Sequence, residues 1–300
     1  MVTMGKRTGP RIKWRRRLYR LPALLPYGLI LAAGVVVFGF PLFWMVRGSL
    51  INQAMWMKQP LVWLPPVSEL RLDAFGGVFQ SEQFRMGRVL LNTAMLGLFT
   101  MVFNVLYNCM AGFALSKMRL PGKSVVLVAL LATLMIPFEG MMVSLYLVVA
   151  KLGLADTMLG ILLPGAANAF GIILMWKFFN RIPDDLIEAA VLDGADWGTI
   201  LFRIAIPVAA PAVATIAIIS FLGGWEAFLW PMLITDPHSR FDVLQKVLAS
   251  ATFTSMGGSA EVEWAYLMAT ALISTVPVLA LFFLGQRFFI AGLTSGAIKG

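Results

Sequence analysis

Two acidic residues in this chain, Glu139 and Glu226, fall within or beside long apolar runs, and Glu226 stands between Trp225 and Trp230. A carboxylate in such a run marks a functional site by default. Aromatic faces beside hydrogen-bonding groups can line a cavity for a polar solute. The residues that we expect to line a path for a polar solute are Trp225, Glu226, Trp230 and Glu139. As alternatives, Glu226 is an interfacial or intersubunit carboxylate, and Glu139 lies at the level of the outer lipid headgroups.

A second set of residues forms a charged, helix-prone stretch between two apolar runs. Pro183 and the acidic pair after it predict a helix start, since proline suits the first turn and acidic side chains complement the helix dipole. Gly194 allows that helix to end in a left-handed turn. Asp196 can cap a second helical piece that runs to Pro207 and the next apolar run. The pattern predicts a short helix, a tight corner and a rigid link, which suits the transmission of force to a spanning helix.

Three asparagines, Asn92, Asn104 and Asn108, share a rough helical face in one apolar run. Amide side chains at such positions hydrogen-bond across helices in membranes. We expect these three to make polar contacts between subunits, and a role as solute ligands is the alternative.

Composition places these residues in a polytopic membrane protein. Hydrophobic residues make up 59% of the 300 residues and charged residues only 13%, whereas soluble domains carry about 25% charged residues. Lipid offers no hydrogen-bond partner to an open sheet, so the predicted fold class is all-α integral membrane. Six runs are long enough to span the hydrocarbon core: roughly 24–46, 89–115, 124–147, 159–179, 208–234 and 264–285.

The distribution of basic residues predicts the orientation. Eight of the 24 Lys and Arg residues lie in the first 20 positions. With the N-terminus inside, 16 of the 24 fall in inner segments and eight in outer ones, and such an excess marks the cytoplasmic side. Both termini and the charged stretch over 181–207 are therefore expected in the cytoplasm. This topology explains the net charge of +9, so no nucleic-acid partner is expected.

Several kinds of chemistry find no support in the sequence. The lone histidine, His238, reads as part of a solvated turn, and the lone cysteine, Cys109, lies in an apolar run. Neither a metal site nor a disulfide within the chain is expected from them. The chain has no GxxxxGK[ST] loop, so no ATP site is expected on it. An integral membrane enzyme is therefore not favoured.

The charged stretch carries a known motif. Glu188-Ala189-Ala190, then Gly194 after three residues, then Ile204-x-Ile206-Pro207 after nine more, resembles the EAA loop of bacterial ATP-binding-cassette (ABC) importer permeases. The family pattern usually has leucine where this chain has Ile206. The run over 224–231 and the C-terminal residues 286–300 are similar to those of the carbohydrate-uptake subfamily, which includes the maltose and glycerol-3-phosphate permeases.

The resemblance implies a six-helix permease of the MetI-like fold, without a catalytic residue of its own. In this family the loop forms a coupling helix that docks in a cleft of a cytoplasmic ATPase subunit. By position, the residues of this contact and its turn are Glu188, Ala189, Ala190 and Gly194, with Ile204 and Pro207 completing the motif and Asp193 and Asp196 as nearby candidates. The alternative is an ordinary amphipathic connector.

The resemblance also implies the partners. They are a second homologous permease subunit, two cytoplasmic ATPase subunits that hold ATP and Mg, an extracytoplasmic solute-binding protein and the lipid bilayer. The solute would be sugar-like: an oligosaccharide, a monosaccharide or a glycerol-3-phosphate type of compound. No cofactor is expected on this chain itself. The runner-up is a self-sufficient secondary transporter of a small polar solute, which would use mid-membrane coupling residues and often inverted repeats.

The expected organisation has five parts in the bacterial plasma (inner) membrane. They are a basic cytoplasmic tail over 1–23, a first spanning helix over 24–46, an extracytoplasmic loop over 47–88, a permease core over 89–285 that contains five spanning helices and the EAA loop 181–207, and a cytoplasmic tail over 286–300.

Overall fold

The structure, a computed structural model, describes residues 21–58, 63–80, 85–237, 239–256 and 263–297. The basic tail up to residue 20 and His238 lie outside these ranges. Every regular element in the described ranges is helical. The helices are α1 (Leu21–Ser49), α2 (Gln53–Lys58), α3 (Asp73–Gln80), α4 (Met86–Lys117), α5 (Lys123–Thr133), α6 (Phe138–Lys151), α7 (Met158–Leu162), α8 (Ala169–Phe179), α9 (Asp184–Leu192), α10 (Trp197–Val208), α11 (Ala210–Trp225), α12 (Leu229–Ile234), α13 (Leu244–Met256) and α14 (Trp264–Ala297).

Three single helices are long and apolar enough to cross a membrane: α1 from Pro26, α4, and α14 as far as Gln286. Three helix pairs pass the same test together but are bent at their junctions. The bends are 101° between α5 and α6, 41° between α7 and α8, and 87° between α10 and α11. By length and composition the described residues thus offer up to six spans, and the prediction of an all-α membrane fold is confirmed.

Three of the runs predicted as single spans are interrupted, and the run over 159–179 divides into α7 and α8. The run over 124–147 divides into α5 and α6 beside Pro137, because proline disfavours helical geometry in the residue before it and donates no hydrogen bond. The run over 208–234 divides after Trp225, so that Glu226 lies in a turn between α11 and α12 and not on a helix face. Helix α14 continues to Ala297, past residue 286 where a tail was expected.

Helix α4 is the central element, and glycines let its neighbours approach closely. A Cβ added to Gly112 of α4 would lie 2.6 Å from the Cβ of Met175 in α8. One added to Gly224 of α11 would lie 2.8 Å from the Cα of Gly97 in α4. No side chain fits at such distances, and small residues at helix interfaces are the usual device for close packing in membranes.

One buried cluster joins the charged stretch to the central helices. Phe113 of α4 and Phe179 of α8 meet edge to face, with ring centroids 5.7 Å apart. Ile187 of α9 and Ile200 of α10 are buried in the same cluster, at 5% and 0% exposure. Burial of these two isoleucines removes apolar surface from water, so the charged stretch is fixed on the ends of α4 and α8.

Candidate functional site

Helix α9 has a buried side and an exposed side. It begins after Pro183 with two acidic residues in its first turn, as the sequence predicts. Ile187 is buried beneath it, and Ala190 is half-buried. Four exposed residues at spacings of three, one and three lie on the opposite side, and we call them the outer face of α9: Asp185, Glu188, Ala189 and Leu192.

The outer face of α9 is partly apolar although it lies in a charged stretch. Leu192 is 87% exposed, while Asp185 and Glu188 bring two acidic groups beside it. Trp197, at the start of α10, is also exposed in part, and its ring meets that of Phe113 at 6.2 Å. Large exposed apolar side chains in a segment too polar for lipid are typical of a protein-binding surface.

Gly194 closes α9 in the left-handed turn that its sequence predicts, with φ at +82°. Its N–H donates to the carbonyl of Val191 at 3.0 Å, and the N–H of Ala195 donates to the carbonyl of Ala190 at 3.0 Å. These two bonds make a Schellman motif. A Cβ on Gly194 would meet no atom within 4 Å, so the backbone angle alone is the reason for glycine there. Asp193, just before it, is exposed.

Asp196 caps α10, also as predicted. Its carboxylate accepts a hydrogen bond from the backbone N–H of Thr199 at 3.3 Å, which satisfies one of the free donors at the helix start. Hydrogen bonds from the side chain and the backbone of Thr199 hold the pKa of Asp196 below its usual range. The corner at Gly194 is thus closed by a helix end on one side and a capped helix start on the other.

Helix α10 widens to π-helical geometry over Ile200–Ala205. Pro207 follows, and it lacks the N–H that would bond to the carbonyl four residues back, so a regular α-helical ladder is broken there. Wide turns of this kind are frequent at functional sites. Ile204 is half-buried and Pro207 is exposed. The 87° bend into α11 follows directly, so the motif ends at a fixed corner against a long apolar helix.

Lys117, the last residue of α4, ties the start of α9 to the bundle. Its Nζ donates to the carbonyl oxygen of Ile182 and to Oδ1 of Asp184, each at 2.6 Å. Its side chain is only 4% exposed. The hydrogen bond from Lys117 holds the pKa of Asp184 below its usual range. In the sequence Lys117 is one of the basic residues whose distribution predicts the orientation, and nothing local indicates this long-range contact.

A cavity of about 470 Å³ at the turn after α11 is the second candidate site. The residues that line it are Trp225, Glu226, Gln245, Ser274, Thr275 and Val278. Glu226 is exposed, and the indole N–H of the buried Trp225 donates to the backbone carbonyl of Ser274 at 3.1 Å. Trp225 and Glu226 both line this cavity, and their part in a solute path stays a prediction. Ser274 and Thr275 are adjacent hydroxyl residues within an apolar run. This pattern in the sequence could have predicted that α14 contributes to the cavity.

Trp230 and Glu139 do not line this cavity. Trp230 is buried, its Nε1 donates to the carbonyl of Gly160 at 3.1 Å, and its ring meets Phe138 at 6.2 Å. The structure therefore corrects the expectation for Trp230, because the break after Trp225 carries it into the packing between α6, α7 and α12. Glu139 is exposed in the first turn of α6.

The three asparagines of α4 bond within the subunit, which corrects the expectation of contacts between subunits. Asn92 donates to the carbonyl of Asp242 at 2.9 Å, and Asn104 donates to the carbonyl of Gly165 at 2.6 Å. Asn108 is fully buried, and its Nδ2 donates to Oδ1 of Asn104 at 3.5 Å. The physical reason is that the face of α4 that they share is covered by other helices and loops of the same chain.

The fold and the two sites define a polytopic α-helical membrane protein with a rigid polar corner joined to its spanning helices. The sequence profile of the family described as "Binding-protein-dependent transport system inner membrane component" matches residues 108–295. The chain belongs to this family. It is an inner-membrane permease subunit of an ABC importer, a transport component that catalyses no reaction itself.

Relatives of known name extend over most of the chain. It is 29% identical over 268 residues to the sn-glycerol-3-phosphate transport system permease protein UgpE of Brucella abortus (strain 2308), covering 88% of this chain and 94% of that one. It is 32% identical over 237 residues to the trehalose transport system permease protein SugB of Mycobacterium tuberculosis, covering 78% and 84%. Its structure is similar to a chain in the crystal structure of a bacterial ABC transporter involved in the import of the acidic polysaccharide alginate. That match has a TM-score of 0.74 and 26% identity, and it covers 94% of this chain and 100% of the other.

Proposed function

We propose that this permease subunit forms half of the translocation pathway for a sugar or sugar-like solute and that separate ATPase subunits drive it through α9. Relatives named for glycerol 3-phosphate and trehalose, and the likeness to an alginate importer, support the solute class. The rest of the proposed assembly is a second related permease, two cytoplasmic ATPase subunits with ATP and Mg, and an extracytoplasmic solute-binding protein.

One observation carries the proposal for α9: the helix is held on one side and exposed on the other. Lys117 and Ile187 fix its inner side to α4 and α8, while the outer face of α9 includes Glu188, Ala189 and the exposed Leu192. A force applied to the outer face of α9 is therefore transmitted to α4 and α8, because no flexible loop lies between them. The Gly194 turn and the bend after Pro207 carry the same movement into α11.

The proposed topology follows the distribution of basic residues. Both termini, the charged stretch over 181–207 and the turn between α4 and α5 lie in the cytoplasm, and the loop over 47–88 lies outside. Closure of the ATPase subunits on ATP would then move α9 and α10 and open the cavity beside Glu226 toward the outer side. Glu139 in this topology belongs to the outer end of the pathway.

Substitution of Leu192 by Asp tests the docking of α9. We expect association of the ATPase subunits, measured by co-purification and by solute-stimulated ATP hydrolysis, to weaken by roughly 10- to 100-fold, since an unpaired carboxylate buried in an interface is destabilising. Leu120→Asp is the matched control, because Leu120 is a 41% exposed leucine in the turn after α4 on the same side of the protein. Full ATPase binding and uptake by Leu192→Asp would remove the outer face of α9 from the interface.

A further inference from the structure

The cavity beside Glu226 has a chemistry that bears on the charge of the solute. At about 470 Å³ it falls in the size range of small-molecule sites, roughly 300–1,000 Å³. Trp225 and Val278 give it apolar walls, and Glu226, Gln245 and Thr275 contribute polar groups. The relatives include one named for an anionic solute, glycerol 3-phosphate, and one named for a neutral sugar, trehalose. Family membership therefore leaves the charge of the solute open.

The hydroxyl groups on the α14 side present the lone pairs of their oxygen atoms to the cavity. Ser274 Oγ donates to the carbonyl of Ala271 at 2.7 Å, and Thr275 Oγ1 donates to the same carbonyl at 2.8 Å. A hydroxyl has one hydrogen to donate and two lone pairs. In this arrangement both hydroxyls donate back along α14 and present lone pairs that can accept a hydrogen bond from a solute.

The other polar groups of the cavity also favour a solute that donates hydrogen bonds. The indole N–H of Trp225 is committed to the carbonyl of Ser274, and a Glu226 carboxylate only accepts hydrogen bonds. Gln245 is the one lining side chain with amide hydrogens to donate. None of the six lining residues is basic. Lys246, next along α13, is held at 2.6 Å by Asp242 and at 2.7 Å by the hydroxyl of Thr235.

We propose that this cavity is a solute subsite that selects neutral sugars or amino sugars and rejects sugars that carry a carboxylate or a phosphate. Sugar hydroxyls and an ammonium group donate hydrogen bonds to the acceptors of the wall, whereas carboxylate and phosphate oxygens bring only further acceptors. A negative group about 5–6 Å from Glu226, at an effective dielectric constant of about 20, binds on the order of 100-fold more weakly than a neutral one. This inference rests on the proposed function as a sugar permease.

Thiol labelling in the assembled importer measures the charge selection without knowledge of the solute. Thr275→Cys places a thiol in the cavity, and the native Cys109 is only 1% exposed, so it contributes little background. The probes are methanethiosulfonate reagents that carry either a trimethylammonium or a sulfonate group. We expect the ratio of cationic to anionic labelling rates to fall about 10-fold or more when Glu226→Gln is added. We expect it to stay unchanged when Glu69→Gln is added, because Glu69 is an exposed glutamate in the loop over 47–88 and does not line the cavity. If Thr275→Cys does not assemble, Gln245→Cys takes its place.

Uptake in proteoliposomes then tests the solute class. The complete importer with its binding protein and ATP is offered mono- to trisaccharides in neutral, amino, and uronic-acid or phosphorylated forms. We expect neutral or amino sugars to be taken up. Uptake of an acidic sugar would overturn this inference and leave the proposed function standing. A labelling ratio that Glu226→Gln leaves unchanged would do the same, and this is the result expected if Glu226 pairs with the partner permease. If no sugar of any class is taken up, the proposed function fails and this inference fails with it.

Discussion

Replacement of Gly194 tests the coupling corner through a single backbone angle. The residue has φ at +82°, and an added side chain would meet no atom within 4 Å. Any effect of a substitution therefore reports the strain of the left-handed turn and not a steric clash. The turn is also where α9 passes into α10, so strain there changes the position of the outer face of α9 relative to the bundle.

The expected magnitudes follow from the cost of the left-handed conformation. An L-residue there costs about 1–2 kcal/mol, and asparagine tolerates the conformation better than other residues do. Proline fixes φ near −65° and removes the N–H that donates to Val191, which raises the cost to about 3 kcal/mol or more. For substitutions of Gly194 the free-energy cost of the turn should therefore increase in the order Asn, Ala, Val, Pro.

Gly153 offers a matched control on a different helix. It has φ at +70°, an added Cβ would again meet nothing within 4 Å, and its N–H donates to the carbonyl of Ala150 at 3.0 Å. The N–H of Leu154 donates to the carbonyl of Val149 at 3.1 Å, so the same Schellman motif closes α6. Substitutions at Gly153 should strain the backbone to a similar degree without touching α9.

The assay is the number of solute molecules taken up per ATP hydrolysed by the complete importer in proteoliposomes. We expect Gly194→Val and Gly194→Pro to lower this ratio by 10-fold or more, while Gly153→Val leaves it within about twofold of the unsubstituted importer even where it lowers thermal stability. If a correctly inserted and assembled Gly194→Pro importer couples ATP hydrolysis to uptake normally, the corner does not transmit the movement and the argument is wrong.

Three further predictions concern the contacts that hold the corner. Lys117→Met removes a buried donor to a backbone carbonyl and should lower the free energy of opening of α9, measured by hydrogen exchange, by about 1–3 kcal/mol. Asp184→Asn should lower it less, and equal effects of the two variants would contradict this prediction. Hydrogen bonds lower the pKa of Asp196 in the folded state, so its contribution is complete above the ordinary aspartate pKa of about 3.9 and is lost as the pH falls through the lowered value. Exchange protection at the start of α10 should therefore stay constant from about pH 7 to 5 and fall only below about 4, and Asp196→Asn should abolish that acid-dependent loss; a loss already complete at pH 5 would speak against the cap. Gly112→Ala should lower the midpoint of thermal unfolding, since its Cβ would lie 2.6 Å from that of Met175, whereas Gly87→Ala, with nothing within 4 Å, should not; equal midpoints would show that α4 and α8 can separate freely.

The corner from α9 to α10 could be predicted because its determinants are local. A proline with acidic residues after it starts a helix, a glycine ends it, and an aspartate caps the next one, and each rule involves residues a few positions apart. The structure has Gly194 in the left-handed region and Asp196 bonded to the N–H of Thr199. The EAA loop motif also predicted the family, and the family match over residues 108–295 confirms this prediction.

The partners of the asparagines, the position of Trp230 and the contacts of Lys117 could not be predicted. They depend on which surfaces of α4 and α11 other helices cover, and hydropathy does not indicate which surfaces these are. Asn92 and Asn104 were expected at a subunit boundary, but their partners are backbone carbonyls of the same chain, those of Asp242 and Gly165. Trp230 was expected near Glu226, but a turn of three residues separates α11 from α12 and redirects it. Lys117 contacts Ile182 and Asp184 across a separation of more than 60 positions, and no local pattern carries such a pairing.

The most direct test of the central claim is the energy source for uptake by the complete importer in proteoliposomes. We expect solute to enter only when ATP is supplied on the side of α9, a non-hydrolysable ATP analogue not to replace ATP, and Leu192→Asp to lower this uptake. Uptake driven by an ion gradient in vesicles without ATP would contradict the account and show that the chain works as a secondary transporter.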